Sequence, residues 1–167
     1  VLATPRYGLI NVHASLLPWY RGAAPIHWAI ANGKSITGLT TMQIDAGMDT
    51  DPILLQREIE ISPDETSPEL SARMKEAGAE LVVDSLLQFD RGEISPAPQS
   101  PANVSHAPIL KKEDGRIDWT RTAQQTYNRM RGFTPWPGAF STFRDQTYHV
   151  WGRPEEAAAA GGRIAPG

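Results

Sequence analysis

The sequence has no cysteine. That excludes disulfides, thiolate nucleophiles and cysteine-ligated metals. Long apolar runs are also missing, and nothing approaches the roughly 20 consecutive residues of a membrane-spanning helix. Charge of one sign is not in large excess: 16 Lys and Arg face 19 Asp and Glu in 167 residues, a net charge of −3. The chain as a whole is therefore not a basic nucleic-acid binder, and any such contact must come from a local patch. No Gly-x-Ser-x-Gly elbow is present, so His13, Ser15 and Asp49 do not make a hydrolase triad of that kind. His27, His106 and His149 are far apart in sequence and make no recognisable metal set. There is no internal repeat.

What is present is concentrated between Gly8 and Pro25, read Gly-Leu-Ile-Asn-Val-His-Ala-Ser-Leu-Leu-Pro-Trp-Tyr-Arg-Gly-Ala-Ala-Pro. Leu9, Ile10 and Val12 have the composition of a buried strand. Asn11 and His13 interrupt that run at spacing i, i+2, which in a strand puts both on one face and Val12 on the other. A loop with Pro18 and Gly22 follows, and Pro25 is a good first residue of a helix that Gly33 would stop. An Asn and a His thus stand together where a strand runs out into a loop, the edge at which open α/β sheets bind ligands. Taken alone, the pair is also what polar capping of a strand end looks like.

Further along, Gly38 to Ile44 is rich in β-branched and apolar residues and predicts a second strand; Ile53 to Ile61 predicts a third. Between them Asp45, Asp49 and Asp51 share one loop. Their spacing lacks the later bidentate Glu of an EF-hand, and Asp45 and Asp51 read as solvated loop acids. Leu70, Met74, Ala77, Leu81, Val82, Leu86 and Phe89 recur at threes and fours, predicting a helix over 69–89. Ser95 to Pro108 holds four prolines and reads as a linker between domains. Its Asn103-Val-Ser105 has the form of a glycosylation acceptor, with nothing else pointing to secretion. A second unit begins near Ile109, with a helix over 120–131, a proline-stiffened turn over 132–138 and a hairpin of 139–143 with 147–151. Gly152 to Gly167 is Ala- and Gly-rich.

From Asn11 to Pro25, the string Asn-x-His-x-Ser-Leu-Leu-Pro-x-x-Arg-Gly-Ala-Ala-Pro resembles the signature of the folate-dependent formyltransferases. Its Arg-Gly-Ala-Ala-Pro ending, followed by Ile26, looks like the branch that formylates methionyl-tRNA. Asp45-Ala-Gly-Met-Asp-Thr-Asp51 resembles the family's Asp-x-Gly-x-Asp-x-Gly, with Asp51 where the family often has Gly. The resemblance implies catalytic roles for Asn11, His13 and Asp49. It puts Ser15, Leu16, Leu17 and Pro18 on the folate-binding loop, where an apolar, proline-stiffened wall suits a flat pterin. Arg116-Ile-Asp-Trp119 and Arg131-Gly-x-x-Pro-Trp-Pro-Gly-Ala139 resemble the family's C-terminal domain, an OB-like barrel that grips tRNA. Lys111, Lys112, Arg116, Arg129 and Arg131 are the cations available there for phosphate contact. Arg21 is the natural group for an anionic substrate; its alternative is a plain surface Arg.

The implied fold is α/β: the C-terminal half of a Rossmann-like formyltransferase domain over 1–94, a linker over 95–108, and the start of an OB-like barrel over 109–167. Both ends are expected to be cut, and the chain alone to be aggregation-prone and inactive. The implied donor is 10-formyltetrahydrofolate and the implied acceptor is initiator methionyl-tRNA. No metal, no membrane contact, a monomer, and a cytoplasmic or organellar location are expected with them. Glycinamide ribonucleotide formyltransferase is an alternative but lacks the Ile-Asp-Trp and Pro-Trp-Pro-Gly domain. Aminosugar-nucleotide formyltransferases and formyltetrahydrofolate dehydrogenase carry a related second domain, and a non-catalytic binding module is the alternative from another class. Formyl transfer to an amine passes through a tetrahedral oxyanion, so the site needs hydrogen-bond donors and a group that manages the amine proton. Asn11 and a protonated His13 are such donors, and a carboxylate beside His13 orients the ring and favours its cation. The three residues are expected to meet at the C-terminal edge of a parallel sheet.

Overall fold

The computed structural model describes residues 8–44 and 49–154. Asp45 and the end of the Ala- and Gly-rich tail lie outside the described residues. The chain runs β1 (Ile10–His13), α1 (Pro25–Ala31), β2 (Ile36–Gln43), β3 (Ile53–Glu60) and α2 (Ser67–Asp90). A 3-10 turn (Lys112–Gly115), α3 (Ala123–Gly132), β4 (Phe140–Phe143) and β5 (Gln146–His149) complete it.

The helices start where their capping chemistry says. Pro25 opens α1. A capping box of Thr66 and Glu69 opens α2, and one of Thr122 and Gln125 opens α3. The turn from β4 to β5 is two residues, Arg144 and Asp145, both with positive φ (48° and 60°), the form that matches the twist of a tight hairpin.

The three strands form one sheet in the order β1-β2-β3, antiparallel throughout. This corrects the parallel edge expected from the sequence. Antiparallel pairing needs no crossover helix, and only nine residues, 44–52, lie between the end of β2 at Gln43 and the start of β3 at Ile53. Val12 faces Thr41 and His13 faces Thr40 across the β1–β2 pair. From Thr37 to Met42 β2 is continuously buried, because both faces are covered. On one side α2 contributes Leu70, Met74 and Leu81 to the core with Leu39 and Ile59. On the other, Gly38 admits the loop after β1: a Cβ there would sit 2.5 Å from the Leu16 side chain and overlap the Arg57 carbonyl.

The segment 95–108 is not free-standing. Ala97 pairs with Ile53 through two 2.8 Å backbone bonds. Arg21 accepts from Ala107 N–H at 2.7 Å and donates to the Ser105 carbonyl at 2.9 Å. Ala107 is fully buried in the main core. Helix α3 also packs back. Gly132 lies against α1, where a Cβ would come within 2.6 Å of Ala31 N. Phe133, fully buried, meets Trp28 edge-on at 5.2 Å.

Ile117, Met130, Ala139 and Val150 make a separate small core. An OB barrel needs about five strands. Among the described residues the second unit supplies the β4–β5 hairpin and an Arg116–Phe140 bridge, fewer strands than a barrel needs, where the sequence led to the start of one.

Candidate active site

Strand β1 delivers His13, 6% exposed, at its C-terminal end. Its Nε2 lies 3.0 Å from the Tyr20 carbonyl and its Nδ1 lies 3.5 Å from Asp49 Oδ1. A carbonyl only accepts, so Nε2 carries the hydrogen and donates it. The ring is thus held between a fixed acceptor and a carboxylate. Both Tyr20 (φ 58°) and Asp49 (φ 53°) adopt the left-handed region, which non-glycine residues enter only where the surroundings hold them. The other Asp49 oxygen accepts from Gly22 N–H at 2.7 Å. Gly22 has φ 115°, and a Cβ there would sit 2.7 Å from the Ala107 carbonyl. Glycine is required at this position by both conformation and space.

Asn11 lies two residues before His13 on the same strand, half-buried, and among the described residues its side chain makes no hydrogen bond. Asp51 departs from the solvated role expected of it: it is buried at 2% exposure.

The loop Ser15–Pro18 is held by residues that carried no motif signal. Thr40, fully buried on β2, donates to the Ser15 carbonyl at 2.7 Å and accepts from Leu17 N–H at 3.1 Å. Gln56 of β3 donates to Thr40 Oγ1 at 2.8 Å and to the Leu17 carbonyl at 2.9 Å. Ser15 donates to the Trp19 carbonyl, Leu17 is buried, and Pro18 is half-buried. Alternation along β2 and β3 places Thr40 and Gln56 across from His13, so strand register was the only signal from which they were readable.

Arg21 is not a free surface cation: Nε and Nη2 both donate to Gln99 Oε1, at 3.1 and 2.6 Å.

The expected phosphate-contact cations divide. Lys111, Lys112 and Arg116 are exposed, with the Arg116 guanidinium 5.7 Å from the Phe140 ring. Arg131 is 4% exposed and donates to Asn128 Oδ1 and to the Ser62 and Glu65 carbonyls. Arg129 donates to the Asp114 carbonyl and stacks on Phe133 at 4.7 Å. Burial lowers the pKa of both guanidinia from the ordinary value. These two arginines tie α3 into the fold, because burying a guanidinium requires its donors to be matched within the protein. Arg131, buried with its donors engaged inside the protein, is thereby turned away from the phosphate contact expected of it, whereas Arg129 is half-buried and gives one hydrogen bond.

Among the described residues no helix is long and apolar enough to cross a membrane.

The formyl transferase family profile matches residues 1–86, and the profile of the formyl transferase C-terminal domain matches residues 109–167. The chain is 54% identical over 163 residues to a methionyl-tRNA formyltransferase of Koribacter versatilis, covering 98% of this chain and 51% of that protein. It is 54% identical over 161 residues to one of Solibacter usitatus, covering 96% of this chain and 51% of that protein. The chain therefore spans about half the length of these curated relatives. Its fold matches that of an N-formyltransferase from Helicobacter canadensis, solved with folinic acid and dTDP-3-aminofucose. The TM-score is 0.72 at 22% identity, over 82% of this chain and 51% of that one.

Proposed function

The chain belongs to the formyl transferase family, and on that premise we propose that the protein carrying it moves the formyl group of 10-formyltetrahydrofolate onto the amino group of initiator methionyl-tRNA. The observation that carries the chemistry is the pair of buried His13 and partly buried Asp49, 3.5 Å apart, beside Asn11 on the same strand as His13, whose side chain has no hydrogen-bond partner among the described residues. The shared name of relatives 54% identical supports methionyl-tRNA as the acceptor.

The amine nitrogen attacks the formyl carbon, and the carbonyl electron pair moves onto oxygen. The Asn11 amide donates to that oxyanion, where a donor fixed in advance lowers the barrier most, and the His13 ring, its two nitrogens turned to Tyr20 and Asp49, stands beside it. Asp49 faces Nδ1 and stabilises a proton held there. Collapse re-forms the carbonyl and breaks the bond to the folate nitrogen, which takes up a proton while the amine gives one up. Ser15, Leu16, Leu17 and Pro18 form the wall for the pterin, kept in shape by Thr40 and Gln56. Residues 1–94 act as the catalytic unit. Residues 109–167 act as the tRNA-contact unit, with the OB-like barrel of the family, and offer Lys111, Lys112 and Arg116 to phosphates.

The test supplies the gene product containing these residues with 10-formyltetrahydrofolate and, in parallel, charged initiator tRNA, glycinamide ribonucleotide and an aminosugar nucleotide. Formyl transfer to methionyl-tRNA is the expected result. Turnover confined to either small acceptor would overturn the assignment.

A further inference from the structure

Gln99 stands in the proline-rich segment, remote in sequence from every motif of the site, yet its side chain makes four hydrogen bonds there. Its Oε1 accepts both bonds from Arg21. Its Nε2 donates to the Asp49 and Asp51 carbonyls, each at 2.9 Å. A side-chain amide has two donor hydrogens and two lone pairs on its oxygen, so all of its capacity is used. The orientation is fixed by the partners: a flipped amide would set its NH₂ against the guanidinium and its oxygen against two carbonyls.

The segment that carries Gln99 is itself anchored on both sides. Ala97 pairs with Ile53 at the start of β3, and Ser105 and Ala107 pair with Arg21. Gln99 lies between those anchors. The aspartate loop needs such a hold, since Asp49 is a non-glycine residue at φ 53°. Its carboxylate is tied to Gly22 and His13, and its carbonyl is tied to Gln99.

We propose that Gln99 is a positioning residue that clamps the aspartate loop to Arg21 and so keeps the Asp49 carboxylate on His13. Its kinetic consequence rests on the formyl-transfer reading above; its structural consequence does not. Displacement of a positioned group by about 1 Å is enough to cost up to 100-fold in rate.

Two variants separate the parts of the clamp. Gln99→Met keeps the length and removes all four bonds. Gln99→Glu keeps acceptors for Arg21 but turns oxygen lone pairs on the two loop carbonyls. Hydrogen exchange followed by mass spectrometry in the gene product reads the clamp without any reaction. Both variants should raise exchange at Gly22 about tenfold, by the release of Asp49, with far-ultraviolet circular dichroism unchanged. In the formyl-transfer assay both should lower kcat about 10- to 100-fold, with KM for the donor unchanged. If the unaltered protein transfers no formyl group, the function reading fails and the exchange result still decides the clamp. Unchanged exchange at Gly22 in Gln99→Met would overturn the proposal. So would a Gln99→Glu variant that behaves as the unaltered protein in both assays, since Gln99 would then serve Arg21 and not the loop.

Discussion

Replacing Asp49 with asparagine isolates the charge of the His13–Asp49 pair from its shape. The asparagine oxygen can keep the 2.7 Å bond from Gly22 N–H, which leaves the NH₂ facing His13 Nδ1 across the 3.5 Å gap. His13 Nε2 donates to the Tyr20 carbonyl, and an asparagine NH₂ facing Nδ1 can donate to it but cannot accept from it. The charge-assisted interaction is lost, while the packing is retained. The two side chains are 7% and 16% exposed, so water screens the interaction little. An interaction with a charged partner is worth about 1.5–3 kcal/mol. At about 1.4 kcal/mol per factor of ten, kcat should fall roughly 10- to 150-fold. The folate wall is held by Thr40 and Gln56 and not by Asp49, so donor affinity should stay within about twofold, well under 1 kcal/mol. The assay is single-turnover formyl transfer with saturating donor, alongside a folate titration. Turnover within twofold of the unaltered protein would refute the role given to the acid. A loss of folate affinity that matches the loss of turnover would refute the separation of wall and acid.

Thr40→Val removes three hydrogen bonds from a fully buried position. It should destabilise the protein by about 1–3 kcal/mol, or roughly 3–10 °C in Tm, with Thr40→Ser recovering most of the loss in thermal melts. Gly22→Ala forces a Cβ to within 2.7 Å of the Ala107 carbonyl at φ 115°. It should cost about 1–3 kcal/mol in denaturant titration and loosen segment 105–107 in hydrogen exchange, whereas an unchanged midpoint would deny the close approach. Burial lowers the pKa of His27 from its ordinary value, so the unfolded chain takes up this proton first as pH falls. His27 therefore contributes stability that is present above about pH 6.5 and is lost as pH falls below it. His27→Gln should flatten that part of the stability–pH curve, and an unaltered slope would show that the histidine is not responsible.

The kinds and approximate ranges of the elements were legible in the sequence because they depend on residues a few positions apart. The apolar spacing from Leu70 to Phe89 predicts 69–89, and α2 spans Ser67–Asp90; the two extra N-terminal residues come from the Thr66–Glu69 capping box. The hairpin expected from 139–143 and 147–151 forms as 140–143 with 146–149, closed more tightly by Arg144 and Asp145 in the left-handed region. The direction of strand pairing was not legible, since an alternating strand pattern is the same in parallel and antiparallel sheets. Four prolines correctly excluded a helix over 95–108, but composition carries no information about where an irregular segment lies.

By itself, the sequence determined which residues share a strand face and where helices begin, because side-chain alternation and capping are local interactions. Asn11 and His13 are neighbours on β1 for that reason alone. Only the tertiary structure brought Asp49 to His13, buried Asp51 and Arg131, and folded the proline-rich segment over the loop so that Gln99 meets Arg21 and two carbonyls. Those contacts join residues 36 to 78 positions apart. Such contacts form only when the antiparallel register and the close approaches at Gly22 and Gly38 allow distant backbones to meet.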